Sequence, residues 1–534
     1  MSLESTLIGH WPLKTDARDV SGKGLHGASH GVTFESDQAI FDGRGAHIEI
    51  PPSATLNLGT DDFTFAAHVD TDADMTDVIG DIVSKYDPAS RTGFSLSVLD
   101  FPGSVYSTPN GRTLSFGINA DRVEEDWTDC GRPGNALHVF ALGVYDGNLY
   151  AGTFEGGADE TGHVWRYDGN GTWTDCGSPD GSNTVMSLCV HDGDLYCGTG
   201  RYKAAGSALS DAGNTKPGGH VFRYHDDGSW EDCGRISPDA AEAHSLTSYG
   251  GKLYAIPSYT SGVYRYDGDA QWTYVGTPGD HRCMTLSVYN GDLFAGGNEW
   301  TGVWKYSGGT EWASVGTQVG PESGTEQYPV ESQIYSFMVY DDALHIGTWP
   351  SGAVYRWEGG TDWTYCGRLG SEQEVMGTAV CNGAFYAGTL PLAQVYRYDG
   401  GTTWSLTGRV DQTPDVRYRR AWSMAVYNGR LWCGTLPSGH VMSYRPGTSA
   451  TYDRWLTPGQ HHIAAVKDES QLLIFIDGVL AAKSDSLDPK QYNLNNTSPF
   501  VIGNGPRSSY NGRMSDVRLY RRALNESEIL SLAS

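Results

Sequence analysis

The sequence predicts an all-β protein organised around a seven-bladed β-propeller, and three observations point there. A hairpin-forming segment recurs seven times between residues 141 and 435. Glycine (70), tyrosine (31) and tryptophan (16) are plentiful while charged residues make up 19% of the chain, a balance that favours strands and tight turns over coiled coils and helical solenoids. No stretch approaches the roughly 18 consecutive apolar residues of a membrane-crossing helix. At 534 residues the chain has room for about two to four domains, at roughly 150 residues each.

The repeat begins ALGVYDGNLYAGT (141–153) and returns as SLCVHDGDLYCGT (187–199), SLTSYGGKLYAIP (245–257), TLSVYNGDLFAGG (285–297), SFMVYDDALHIGT (336–348), GTAVCNGAFYAGT (377–389) and SMAVYNGRLWCGT (423–435). Each copy is an apolar strand, a turn of the D-G or N-G type and a second strand. Six copies are followed by a second strand pair such as HVWRYDGNGTWTDCG, and a four-stranded unit of about 40–55 residues is the signature of a propeller blade. The seventh copy stops after its third strand, at 440–447. The missing strand stands instead before the first repeat, as Asp126-Trp127-Thr128-Asp129-Cys130-Gly131. The expectation is a propeller over 125–447 in which strand 126–131 completes the seventh blade and removes the open edges. Asp168 and Trp173 keep an Asp-to-Trp spacing faintly similar to the sialidase Asp-box, without its Ser and Gly; they read as turn chemistry with the Trp between blades.

The flanks, 5–124 and 448–534, read as two parts of one domain. Neither supplies enough strands to close a sandwich alone, and together they offer about a dozen. The start D-x-S-G-x-G-x-H-G (19–27), the core G-x-H-H-I-A-x-V followed by I-D-G (459–478) and the end D-V-R-L-Y-x-R-A-L (516–524) resemble the laminin G/pentraxin-like branch of the concanavalin A-like jelly rolls. The resemblance implies a concanavalin A-like (laminin G-like) β-sandwich, often carbohydrate- or protein-binding, often with one calcium ion. Asp19 and Asp516 match positions that often ligate it, through hard oxygens on adjoining loops. The propeller is then an insertion in this sandwich, which exposed loops tolerate when the guest's termini lie close together. Calcium is the one cofactor expected; no organic cofactor is.

The formal net charge of −27 opposes nucleic acid and anionic membranes at a distance, so neither is an expected partner. The nine cysteines lack a C-x-x-C pattern. Cys130, Cys176, Cys233 and Cys366 share a repeat position with Val275, Val315 and Thr407, so they read as reduced packing residues. The opening residues carry no basic and apolar leader; a secreted or periplasmic location is expected if a native leader precedes this sequence, and a monomer is expected.

Candidate functional residues cluster at the start of the innermost strands. The seven repeats place His138, Thr184, Glu242, Arg282, Gln333, Glu374 and Arg420 there, followed by Val139, Val185, Ala243, Cys283, Ile334, Val375 and Ala421. A polar ring around the mouth of a central channel, above an apolar layer, is expected. The connection after the second strand is minimal at Trp349-Pro350, Leu390-Pro391 and Leu436-Pro437 but runs about 20 residues from Gly200 to Pro217, and long loops in compact units are usually functional. Arg201, Lys203, Arg417 and Arg419 add cations, and Tyr202, Tyr259, Trp300 and Trp349 add flat faces. Aromatics interleaved with charged groups suit a sugar, whose ring faces stack and whose hydroxyls and carboxylates need charged hydrogen bonds. A solvated mixed rim is the simpler account. His163, His220 and His440 begin third strands too far apart to share a metal, and His461-His462 belongs to the sandwich core motif.

Two functions follow. Propellers joined to such sandwiches are similar in architecture to polysaccharide lyases and glycosidases acting on uronate-rich glycans. A lyase needs a base, an acid and a cation for the carboxylate, roles open to His138 or His163, Tyr202 or Tyr259, and Arg420 or Arg282. A hydrolase would use Glu242 and Glu374. The alternative is a non-catalytic glycan- or protein-binding module. Either way, the expected partner is an acidic or highly hydroxylated saccharide.

Overall fold

The computed structural model describes residues 3–74, 76–100, 105–257, 260–298, 302–316, 319–320 and 331–533. Strands from both ends of the chain interleave in two antiparallel sheets. One runs Thr33–Glu35, Gln38–Asp42, Asn511–Tyr520, Phe63–Thr71, Gly459–Asp468, Gln471–Ile476, Val479–Lys483, with Leu7–Trp11 also on Asn511–Tyr520. The other runs Ala28–His30, His47–Ile50, Phe500–Ile502, Gly80–Asp87, Thr92–Leu99, Thr113–Val123, Pro446–Tyr452. Period-two alternation explains their facing. In His47–Ile50 the isoleucines are buried and His47 and Glu49 half-exposed. Trp11, Phe41, Phe63, Phe94, Phe116 and Phe500 fill the space between the sheets, Trp11 stacking on Phe500 at 5.4 Å.

The middle of the chain forms a propeller-like ring of sheets. Each repeat opens on a hairpin whose two central residues take positive φ. Asp146 and Gly147 lie at 44° and 76°, Asp192 and Gly193 at 49° and 83°, Asn428 and Gly429 at 48° and 68°. These turns match the twist of antiparallel strands, which is why the dipeptide recurs. The strand Thr128–Asp129 pairs with Val441–Tyr444, across more than 300 residues of sequence. The expected seven separate blades are not what forms. Five four-stranded sheets stand alone, and the first two repeats run together in one eight-stranded sheet, because Phe154 at the end of one hairpin pairs with Thr184 at the start of the next.

Tryptophans tie neighbouring outer strands together. The indole N–H of Trp173 donates to the Cys130 carbonyl at 3.0 Å, Trp230 to Cys176, Trp272 to Cys233, Trp312 to Val275, Trp363 to Val315 and Trp404 to Cys366. Trp127 donates to the Thr407 hydroxyl at 3.3 Å. The fourth-strand Trp therefore packs between units, as its repeat position implied. The cysteines beside these carbonyls are all free, and all nine except Cys176 are buried. Burial raises the pKa of the Cys176 thiol, so even this one reacts slowly. Ellman's reagent is expected to titrate at most one thiol in the native protein and nine in denaturant without reductant; a shortfall in denaturant would reveal a disulfide.

The sandwich sits against the hairpin-turn side of the ring. The Asn382 amide donates to the carbonyls of Ile118 and Pro446, Asn428 N–H to the Asp453 carboxylate, and Arg44 to the Asn290 carbonyl. Segment 105–110, between two sandwich strands, enters the ring itself. Thr108 forms a parallel bridge with Cys189, Ser245 N–H donates to the Tyr106 carbonyl, and Asn110 bonds both backbone groups of Val426. Tyr106 ends against Phe140, Tyr335, Trp422 and His244. One end of the channel is thus filled by the sandwich, and the polar ring lies at the other end.

Candidate functional site

The polar-ring end is built from strand starts. Inner strands begin at His138, Thr184, Gln333, Glu374 and Arg420, with Arg282 one residue and Glu242 two residues before theirs. Because side chains alternate along a strand, the layer beneath this ring comes two residues on, not one. It consists of Phe140, Met186, His244, Met284, Tyr335, Met376 and Trp422. The expected layer of Val139, Val185, Ala243, Cys283, Ile334, Val375 and Ala421 is apolar but points between the sheets, Val139 packing with Cys130 and Leu142 and Val185 with Ala141 and Val164.

The ring is also less wet than a strand entrance should be. His138, Thr184, Glu242, Glu374 and Arg420 are buried, while Arg282, Gln333 and Trp349 are half-buried. Part of the cover is the long loop after the second repeat's hairpin. Tyr202 packs against His138, Phe140 and Phe154, and the following turn Ala204–Ser207 brings the Ser207 hydroxyl onto both Tyr202 Oη and the Arg420 guanidinium. Asn183 pins this loop by accepting from Tyr202 N–H and donating to the Tyr202 carbonyl. The loop is therefore folded across the mouth rather than standing beside it as a wall.

The electrostatics under this cover are unusual. Burial, and then the charge of Arg420, hold His138 well below the ordinary histidine pKa, so its ring is neutral. Burial pushes Glu374 up to about 8 despite Arg420, so it carries a proton at neutral pH. Arg420 lies over the Trp422 ring at 5.5 Å and the Tyr418 ring at 5.9 Å and forms no ion pair among the described residues, the carboxyl that acts on its charge being that of Glu374. Among these residues, both nitrogens of His138, Oε1 of Glu374 and Nε of Arg420 are buried without a hydrogen-bond partner. The mouth thus holds a cation, a neutral acid and a neutral base, all with unused hydrogen-bonding capacity. Burying such groups costs about 1–3 kcal/mol each unless something polar meets them.

Other expected residues lie elsewhere. Nδ1 of His163 pairs with Asp175 at 2.8 Å and Nε2 with Thr161, joining the third strand to the fourth; His220–Asp232 and His440–Asp129 repeat the bond. His163 is a strand-linking residue here, not a group at the mouth. Arg201, Lys203 and Arg417 are exposed, Arg417 lying on the Tyr418 ring, and Arg419 donates to the Thr413 carbonyl. Tyr259 and Trp300 lie outside the described residues. Sequence reasoning missed Ser207, Tyr335, Tyr418 and Trp422; the alternation of the inner strands would have found Tyr335 and Trp422.

Asp19 and Asp516 come close in space, but through His10. His10 N–H donates to Asp19 at 3.0 Å and its Nε2 to Asp516 at 2.7 Å. Asp19 also accepts from Ser21 N–H, the Ser21 hydroxyl and Leu25 N–H. Against a burial that raises it, the His10 and Arg518 bonds hold Asp516 down to about 2. Calcium needs about six to eight oxygens with free lone pairs. Here the carboxylates face donors and a guanidinium, so these residues do not fit the ion. Calcium addition is expected to leave the Tm unchanged within about 1 °C, whereas binding would raise it.

Fold and site together define an all-β protein with a propeller-like ring of sheets and two further antiparallel sheets packed as a sandwich. The model of the concanavalin A-like lectin/glucanases superfamily (Laminin_G_3) matches residues 407–530. Among solved structures, the chain is similar to selenomethionine-substituted virginiamycin B lyase from Staphylococcus aureus, at 12% identity and TM-score 0.45 over 60% of this chain and 99% of that one. It is also similar to YCF48 from Cyanidioschyzon merolae, at 13% and 0.42 over 60% and 99%. The WD40 propeller domain of Doa1 gives 13% and 0.41 over 60% and 97%. No curated protein matches the chain.

Proposed function

We propose that this is a carbohydrate-binding protein that takes an acidic saccharide at the polar-ring end of its channel. The observation that carries the proposal is the buried, unused polar capacity of His138, Glu374 and Arg420, whose guanidinium forms no ion pair among the described residues. A sugar carboxylate meets Arg420, hydroxyls meet the neutral acid and base, and Tyr335 and Tyr418 supply flat faces. The superfamily match adds weight to carbohydrate or protein binding. On the same reading the ring is a seven-bladed propeller (125–447) inserted between sandwich parts 5–124 and 448–534, the eight-stranded sheet acting as two blades. The seven Trp links between outer strands and the Thr128–Ser443 pairing support that count.

The test is titration of uronate and neutral oligosaccharides into the full chain. Arg420→Ala should weaken uronate binding about tenfold or more, the worth of roughly 1.5–3 kcal/mol for a charged hydrogen bond. Arg265→Ala, whose guanidinium pairs with Asp267 at 2.7 Å, should not. Binding should hold between about pH 5 and 7 and decline above about 8, as Glu374 loses its proton beside the sugar carboxylate. Equal effects of the two substitutions would refute the site. A second reading, a lyase or glycosidase, draws on a protonated Glu374 and neutral His138 as an acid and a base. New absorbance near 235 nm or new reducing ends would favour it.

A further inference from the structure

On the sandwich, far in sequence from the mouth residues, a side-chain cluster has no part in the reading above. Ala28–His30 is the edge strand of its sheet and pairs antiparallel with His47–Ile50. The register sets His30 directly opposite His47, so both project from one face, and Glu49 follows two residues along on that same face. Ile48 and Ile50 are buried on the other. The two imidazoles stack at 4.6 Å between centroids, and the ligand atoms of His30, His47 and Glu49 all lie within 4.8 Å of one another.

We propose that His30, His47 and Glu49 bind a divalent transition-metal ion, zinc(II) being the ion they suit best. Two imidazoles and one carboxylate are a donor set that zinc accepts, with an open position left for water or a group from solution. Ligands at about 2.0–2.1 Å from a tetrahedral ion stand roughly 3.4 Å apart, so the cluster has to close by at most about 1.4 Å. Exposed and half-exposed side chains can make that movement. A second observation aims one ligand. Nδ1–H of His47 donates to the Gly45 carbonyl at 2.8 Å, which fixes the tautomer and leaves the Nε2 lone pair for the metal. Calcium, a hard ion that takes oxygen ligands, gains little from two imidazoles.

The experiment uses the full chain without a polyhistidine tag, stripped with EDTA and titrated with zinc chloride, then with cobalt(II) as a visible probe. One zinc per chain is expected, with cobalt giving the absorption of a four- or five-coordinate site and calcium failing to compete. His47→Ala and Glu49→Gln should each weaken zinc binding about tenfold or more. His225→Ala, a surface histidine paired with Glu231 outside the cluster, should leave it unchanged. Zinc should raise the Tm of the parent and not of His47→Ala, and the two proteins should melt alike without metal. Absence of zinc binding, or zinc binding that survives both His30→Ala and His47→Ala, would overturn the proposal.

Discussion

Replacing Tyr106 with alanine is expected to destabilise the protein by about 3–5 kcal/mol, the range for truncating a buried aromatic. The ring is 4% exposed and packs among the inner strands, 4.3 Å from His244 and 5.2 Å from Trp422 by centroids. Its removal opens a cavity that the surrounding strands cannot close, since each is fixed by its own sheet. The backbone at Val105 and Tyr106 has φ of 37°, a conformation that β-branched and bulky residues avoid and that the packing must hold in place. Without the ring, segment 105–110 loses its reason to stay in the channel, and sandwich and ring of sheets should unfold less cooperatively. Urea unfolding followed by tryptophan fluorescence reads both effects. A loss below about 1 kcal/mol would mean that the ring does not fill the channel.

Arg507→Ala is expected to cost about as much, roughly 3–5 kcal/mol, because it strands buried carboxylates. Arg507 is 1% exposed, donates to the Val98 and Asp100 carbonyls and lies 3.4 Å from the Asp100 carboxylate. Its backbone N–H and that of Ser508 hold Asp81, which burial pushes up to about 6. The adjoining residues reach the ring, where Asp342 accepts from Ser509 and Asn504. The loss should therefore appear in the seam between the two parts as well as inside the sandwich. The paired change Arg507→Met with Asp100→Asn removes the unmatched charge and should cost less than Arg507→Ala alone. If the pair costs as much as the two single changes together, the charges are not coupled.

What was legible in the sequence was whatever is encoded locally and repeated. The Asp-Gly and Asn-Gly turns announced the hairpins, and the Trp of the fourth strand announced contact between units. The polar ring was legible too, because its residues share a repeat position. Its setting was not. Taking the next residue as the next layer ignores strand alternation, and so Val139 was expected where Phe140 lies. The long loop could be recognised by length, but its fold over the mouth depends on Ser207 meeting Arg420 across 213 residues. Segment 101–112 reads as a Pro- and Gly-rich loop, and nothing local says that Tyr106 enters a channel made by residues from 140 to 422. Asp19 and Asp516 were found together, as their motif implies, yet His10, Ser21, Leu25 and Arg518 supply the donors that an ion would have to displace. The pairing of Phe154 with Thr184 joins two repeats for which the sequence offers no sign of joining. His30 and His47 are 17 residues apart, and only the strand register makes them neighbours.

The most direct measurement is amide hydrogen exchange of the full chain with and without a saturating uronate oligosaccharide. Slowed exchange is expected in 201–209, which covers the mouth, and in 418–422 around Arg420, with 459–476 of the sandwich unchanged. Protection confined to the sandwich, or none anywhere, would contradict a saccharide site at the polar-ring end of the channel.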